Sequence, residues 1–227
     1  MNLNTILKNF QAGQKEKSYK KLKIYIEKNP GDLIAIYNFA YMSELLNKKN
    51  EAISHYIYLN NKDAKNWKSR FNLYLLYIES KNYSEALILI NEVLELKPNY
   101  QPALRDRALV KHYLGKNNEA LNDVLKSLNF NNKDYIAINI LGLIYGSLNN
   151  HLKAKEVFEA GIKVNSKYTP GYNNYGNCLL KLGEVDNALK NFLVSFELDN
   201  KFEQAINNIA NIYIIKGEYK RAISYYQ

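Results

Sequence analysis

Small and apolar residues recur three and four apart along this chain, as at Phe39, Ala40 and Ser43 or Leu141, Gly142 and Tyr145. That spacing puts them on one face of a helix and predicts amphipathic helices of about three to four turns. A longer period lies over the short one. Stepping by 34 from Ala52 gives Ala86, Ala120, Ala154, Ala188 and Ala222 with no insertion between them. Four residues after each alanine, on the same helix face, stands a bulky apolar residue: Tyr56, Ile90, Val124, Phe158, Phe192 and Tyr226.

Counting units from Leu33, Trp67, Gln101, Tyr135, Thr169 and Glu203, the eighth residue is Ala40, Tyr74, Ala108, Gly142, Gly176 or Ala210, small in five of six. The fifteenth is Asn47, Lys81, Gly115, Asn149, Gly183 or Gly217, where Gly and Asn suit the left-handed residue that ends a helix. Each unit therefore predicts two antiparallel helices joined by a tight turn. Short side chains at positions eight and twenty mark the crossing, because helices approach to about 8 Å only where side chains are small. One such hairpin cannot bury both faces, so it must stack on its neighbours.

At these positions the chain resembles the tetratricopeptide repeat family. In the unit from Thr169, Tyr172, Tyr175, Gly176, Leu179, Ala188 and Phe192 stand at the signature places. The resemblance implies an all-α superhelical solenoid of helical hairpins. It comprises a degenerate unit 1–32, full units 33–66, 67–100, 101–134, 135–168 and 169–202, and an incomplete unit 203–227. In the degenerate unit the frame places Gly13, Leu22 and Pro30 correctly. The signature tryptophan position instead holds Ile36, Arg70, Leu104, Ile138, Tyr172 and Ile206, with Trp67 three residues early. Arg107 and Lys111 interrupt the apolar stripe of the third full unit, where long stems snorkel between neighbours. The last unit stops about two turns into its second helix and leaves Ala222, Ile223 and Tyr226 as an apolar face without a successor. Solenoids normally end in a polar cap. The expectation is a longer protein, or self-association or a partner that covers this end.

Composition fits a packed array: 47% of residues are apolar and only 10 are Gly and 4 Pro. Cys178 stands alone, so no internal disulfide forms, and no Cys/His spacing suggests a metal. Met1 to Phe10 lack a secretory apolar core, and no run approaches the ~18 apolar residues of a membrane span. The reading is a soluble, cytoplasmic protein without membrane attachment. His55, His112 and His151 fall at unrelated positions, and neither a dinucleotide fingerprint, a phosphate-binding loop nor a nucleophile elbow occurs. No catalytic residue, cofactor or metal is expected. The net charge of +9 raises nucleic acid as a partner. Among basic residues only Lys68, Arg105 and Lys181 suit a groove, however, and Lys15, Lys17, Lys20, Lys21 and Lys23 crowd the first unit, which makes nucleic acid the weakest reading.

The informative residues are asparagines. Position six holds Asn38, Asn72, Asp106, Ile140, Asn174 and Asn208, and positions five and nine add Asn139, Asn173, Asn177, Asn207 and Asn211. Asn has mediocre helix propensity, so something besides helix stability is served. The resemblance puts these positions on the concave groove lined by the first helices. A carboxamide offers one acceptor and two donors, enough to pair with both polar groups of an extended peptide's backbone. Tyr37, Tyr41, Phe71 and Tyr113 supply flat apolar surface beside them. A similar ladder occurs in repeats that precede the catalytic domain of O-GlcNAc transferases, and in repeats fused to glycosyltransferase or sulfotransferase domains. The two-carboxylate clamp of cochaperones is absent: Tyr37, Tyr41, Asn72, Pro102 and Asp106 fail it at four places. The expected function is a non-catalytic scaffold that binds a peptide or partner protein in the groove. The alternative is the substrate-presenting arm of a group transferase whose catalytic domain lies beyond Gln227.

Overall fold

A computed structural model describes residues 2–226. Met1 and Gln227, the outermost residues of the first and last units, lie outside the described residues. Among those described there are fourteen α-helices and no strand. They run in consecutive hairpins: α1 (Leu3–Gln11) with α2 (Lys15–Lys28), α3 (Leu33–Leu45) with α4 (Lys49–Lys62), and α5 (Trp67–Glu79) with α6 (Tyr83–Leu96). There follow α7 (Gln101–Tyr113) and α8 (Asn117–Phe130), α9 (Tyr135–Ser147) and α10 (His151–Val164), and α11 (Thr169–Lys181) and α12 (Val185–Leu198). The last pair is α13 (Glu203–Ile215) with α14 (Tyr219–Ser224).

The turns explain why every hairpin closes at the same place. Gly13, Asn47, Lys81, Gly115, Asn149, Gly183 and Gly217 all have positive φ. The next residue's N–H then reaches back five residues, as from Lys48 to the Ser43 carbonyl (2.8 Å) and from Glu184 to that of Leu179 (2.9 Å), satisfying carbonyls the helix end leaves open. Lys81 takes this conformation at φ 59° despite its β-carbon. Geometry thus overrides preference there, at a cost of about 1 kcal/mol. Several first helices are also capped by side chains: Asp32 accepts from the Ala35 N–H, Asn66 from Ser69, and Asp134 from Ile136 and Ala137.

At the crossings the repeated alanines are buried, and the glycines of position eight are there for space. A β-carbon on Gly142 would sit 2.6 Å from the Phe158 ring, and one on Gly176 2.5 Å from that of Phe192. Position eight is therefore sized to position twenty-four. Tyr74, the exception to the small-residue rule, is buried in a unit whose position twenty-four is Ile90 rather than an aromatic ring.

The helices form two compact units, one up to Val110 and one from Lys111. The first packs around Leu22, Phe39, Tyr56, Leu59, Leu73 and Ile90, the second around Phe158, Leu179, Phe192, Ile209 and Ile212. Each such side chain contributes about 1.5–3 kcal/mol on burial. The two cations that interrupt the stripe of α7 are engaged locally. Arg107 Nη1 donates to Asn91 Oδ1 at 3.0 Å in the first unit, and Lys111 Nζ lies 2.8 Å from Asp123 and 3.3 Å from Glu119 in the second.

One expectation is corrected at the last hairpin. Ala222 does not share an exposed face with Ile223 and Tyr226; as the twentieth residue of its unit it is buried at the crossing with α13, while the other two are 56% and 58% exposed. No helix among the described residues is long and apolar enough to cross a membrane.

Candidate groove-lining site

Stacked hairpins bring residue six of one first helix beside residue five of the first helix before it. In the second unit Asn174 Nδ2 donates to Asn139 Oδ1 at 3.1 Å, and Asn208 Nδ2 donates to Asn173 Oδ1 at 2.9 Å and to Asn177 Oδ1 at 3.3 Å. In the first unit Asn72 Nδ2 donates to Tyr37 Oη at 3.1 Å and to Tyr56 Oη at 3.0 Å. The three joints between positions six and five share one separation, 35 residues. The asparagines thus staple α5 to α3 through phenols, and α11 to α9 and α13 to α11 through carboxamides.

This divides the predicted site residues by what they have left to offer. Asn139 and Asn173 are buried acceptors within the staple. Asn174 and Asn208 are half-buried donors, and Asn177, Asn207 and Asn211 are exposed beside them. Ile140 at position six is buried and interrupts the series. In the first unit Asn38 Nδ2 bonds back to the Ile34 carbonyl at 2.8 Å. Arg105 Nε donates to Asp106 Oδ1 at 2.7 Å, with Asp106 buried. Phe71 stacks on Tyr74 and meets Tyr100 edge-on, whereas Tyr41 is 44% exposed.

Electrostatics sharpen the difference. The Tyr56 hydroxyl donates to Glu44 Oε2 at 3.0 Å while accepting from Asn72. Burial pushes the Tyr56 phenol far above its ordinary range and raises that of Tyr37 as well. Burial also raises the Glu44 carboxyl, although the hydrogen bond from Tyr56 works against it. A second phenol–carboxylate pair, Tyr175 to Glu159, lies in the second unit, and a third joins Tyr19 to Glu51. The Tyr19 phenol is pushed up to about 12, by burial first and then by Glu51. Sequence reasoning passed over Glu44, Glu51 and Glu159. The signal was available, because a tyrosine at a core position that is Phe, Ile or Val elsewhere brings a buried hydroxyl that needs a partner.

The remaining candidates for chemistry are held in structural contacts. His112 Nδ1 lies 2.9 Å from Asn117 Oδ1, and His55 meets Phe39 edge-on with Nδ1 at 2.8 Å from the Glu51 carbonyl. Cys178 is buried, its thiol donates to the His151 carbonyl at 3.4 Å, and burial pushes it up, away from the reactive thiolate. Among the described residues no group of three or more His, Cys, Asp and Glu is placed to hold a metal ion.

Fold and period together match those of a tetratricopeptide repeat array. The family model described as tetratricopeptide repeat matches residues 136–168 and 203–227. A tetratricopeptide repeat protein from Parabacteroides merdae superposes with a TM-score of 0.87 at 20% identity, covering 98% of this chain and 88% of that one. YrrB, described as a TPR protein with an unusual peptide-binding site, superposes with a TM-score of 0.62 at 18% identity, covering 82% and 96%. In sequence, the chain is 26% identical over 156 residues to the human Protein O-mannosyl-transferase TMTC1, covering 67% of this chain. It spans 18% of the length of that relative. Tetratricopeptide repeat proteins generally mediate protein–protein interactions.

Proposed function

We propose that the chain is a non-catalytic scaffold that holds an extended peptide segment across the first helices α9, α11 and α13. The observation that carries this reading is the carboxamide series of the second unit. Its inner members are locked by hydrogen bonds between successive first helices, so the exposed amides of Asn177, Asn207 and Asn211 stand on a rigid base and lose little freedom when a guest binds. Amides pair with backbone rather than with side chains, so recognition is broad in sequence. The likeness to YrrB supports the same use of this fold.

The test is to pan phage-displayed random peptides on the purified protein and on the triple variant Asn177→Ala, Asn207→Ala, Asn211→Ala. Peptides retained by the parent are expected to bind the triple variant at least about tenfold more weakly, at equal melting temperature. Equal retention by the two proteins removes the reading.

The similarity to a mannosyl-transferase motivates a second reading, in which the groove presents acceptor polypeptides to a group transferase. Retained peptides are then enriched in Ser and Thr, the hydroxyl acceptors of such transfer. Retained peptides without that enrichment exclude it.

A further inference from the structure

The second unit contains a pocket of about 270 Å³ lined by α9, α10, α11 and the end of α7. Phe158, which is buried, and Leu143 supply apolar wall, while Lys181, His112, His151 and Asn177 bring polar groups to it. No carboxylate lines the pocket. Lys181 makes no ion pair among the described residues. Asn177 is already oriented: its Oδ1 accepts from Asn208, which leaves its Nδ2 protons to donate.

One lining residue, Gly146, leaves room where the other units carry a side chain. Gly146 is the twelfth of its unit, a position that elsewhere holds Glu44, Ile78, His112, Leu180 and Ile214. A β-carbon on Gly146 would meet nothing within 4 Å, so a side chain there would project into open space rather than into the core. Glycine in a helix weakens it, so this glycine does not serve the helix.

We propose that this pocket sets the specificity of the groove and takes the side chain of a glutamate within the bound peptide. Two methylenes lie along Phe158 and Leu143, and the carboxylate meets the Lys181 ammonium, with the Asn177 amide as a further donor. A cation and an amide donor beside an apolar wall match that side chain in both of its parts. The inference rests on the peptide-groove reading above and adds to it a chemical preference at one register.

The experiment pans random peptides on the parent, on Lys181→Glu and on Gly146→Leu, then measures affinities of the selected peptides made synthetically with amidated C-termini. The parent is expected to select Glu at one fixed register, and replacing that Glu by Gln weakens binding about tenfold. Lys181→Glu turns the preference toward Lys or Arg. Gly146→Leu fills the pocket and abolishes the preference while its melting temperature stays at or above that of the parent, so lost selectivity is not lost folding. Selected peptides without an acidic residue at a fixed register overturn the proposal, as does a preference that both variants retain. Binding that vanishes on C-terminal amidation overturns it too, because the carboxylate is then the peptide terminus. Retention of no peptide by the parent defeats the groove reading itself, and the proposal with it. Loss of binding in the Asn177, Asn207, Asn211 variant together with no acidic preference leaves the groove standing and removes only the pocket.

Discussion

The same joint is built from different chemistry in the two compact units. In the first, Asn72 bonds two phenols, and one of them, Tyr56, comes from a second helix and donates its own hydrogen bond to Glu44. In the second, Asn174 and Asn208 bond other carboxamides, and the places equivalent to Tyr56 are taken by Phe158 and Phe192, which have no hydroxyl to offer. The first joint is thereby tied into the hairpin behind it and closed by aromatic rings. The second runs only along first helices and leaves amide capacity at the surface. One register thus forms a closed structural lock in one unit and leaves exposed amides beside the joint in the other, according to whether position twenty-four can accept a hydrogen bond.

The largest expected effect tests the space on which the second unit depends. Gly176→Val drives a side chain into the Phe192 ring and should destabilise the protein by about 3 kcal/mol in urea unfolding, partly rescued by Phe192→Leu. Asn208→Ala strands the buried Asn173 oxygen and should cost about 2 kcal/mol by the same measurement. Tyr56→Phe gives the first unit the ring of the second. It should cost about 1.5 kcal/mol and raise the Glu44 carboxyl further, since the bond that opposed burial is gone, a shift readable by carboxyl NMR titration.

A smaller effect separates two glutamates of the first unit by sign. Burial pushes Glu51 up, but hydrogen bonds from Tyr19, Lys23 and Ser43 outweigh it and hold its carboxyl below the usual range. Its contribution to stability is therefore present above its unfolded pKa, about 4.3, and is lost as pH falls through the folded value. Glu44 is raised, so its contribution is complete below that unfolded pKa and is lost as pH rises through its folded value. Melting curves between about pH 3 and 7 should show Glu51→Gln flattening the acid side and Glu44→Gln the side above about 4.3. The smallest expected change is a gain. Gly146→Ala should stabilise by about 0.5–1 kcal/mol, because helix propensity improves and nothing is displaced.

Most of the fold was legible in the sequence because helix ends and crossings impose steric demands that few residue types meet. Positive φ at Asn47, Asn149 and Gly183 follows directly from residue type. Even Lys81 was readable once the period was known. The site was legible only as a set of positions. Residue type does not say whether a carboxamide faces a guest or a neighbour, and the hydrogen bonds of Asn174 and Asn208 depend on how one hairpin is translated against the next. Arg105 shows the same limit: a cation suited to a groove is engaged by Asp106, the residue beside it in the chain. The pocket at Gly146 was missed for a related reason. A glycine in a helix reads as a weakness, and the space it leaves is closed by residues of other helices, such as Phe158 and Lys181, that lie far from it in sequence.

The adjacency of Asn173 and Asn174 has a consequence for how such a chain lengthens. Each unit of the second region that carries an amide at both places brings one half of two joints: a donor for the hairpin before it and an acceptor for the hairpin after it. A tandem duplication of residues 169–202 would insert a hairpin whose Asn174 copy finds the original Asn173, and whose Asn173 copy receives Asn208. The amide joints can therefore be extended by copying a single segment of DNA, with no compensating substitution at either joint.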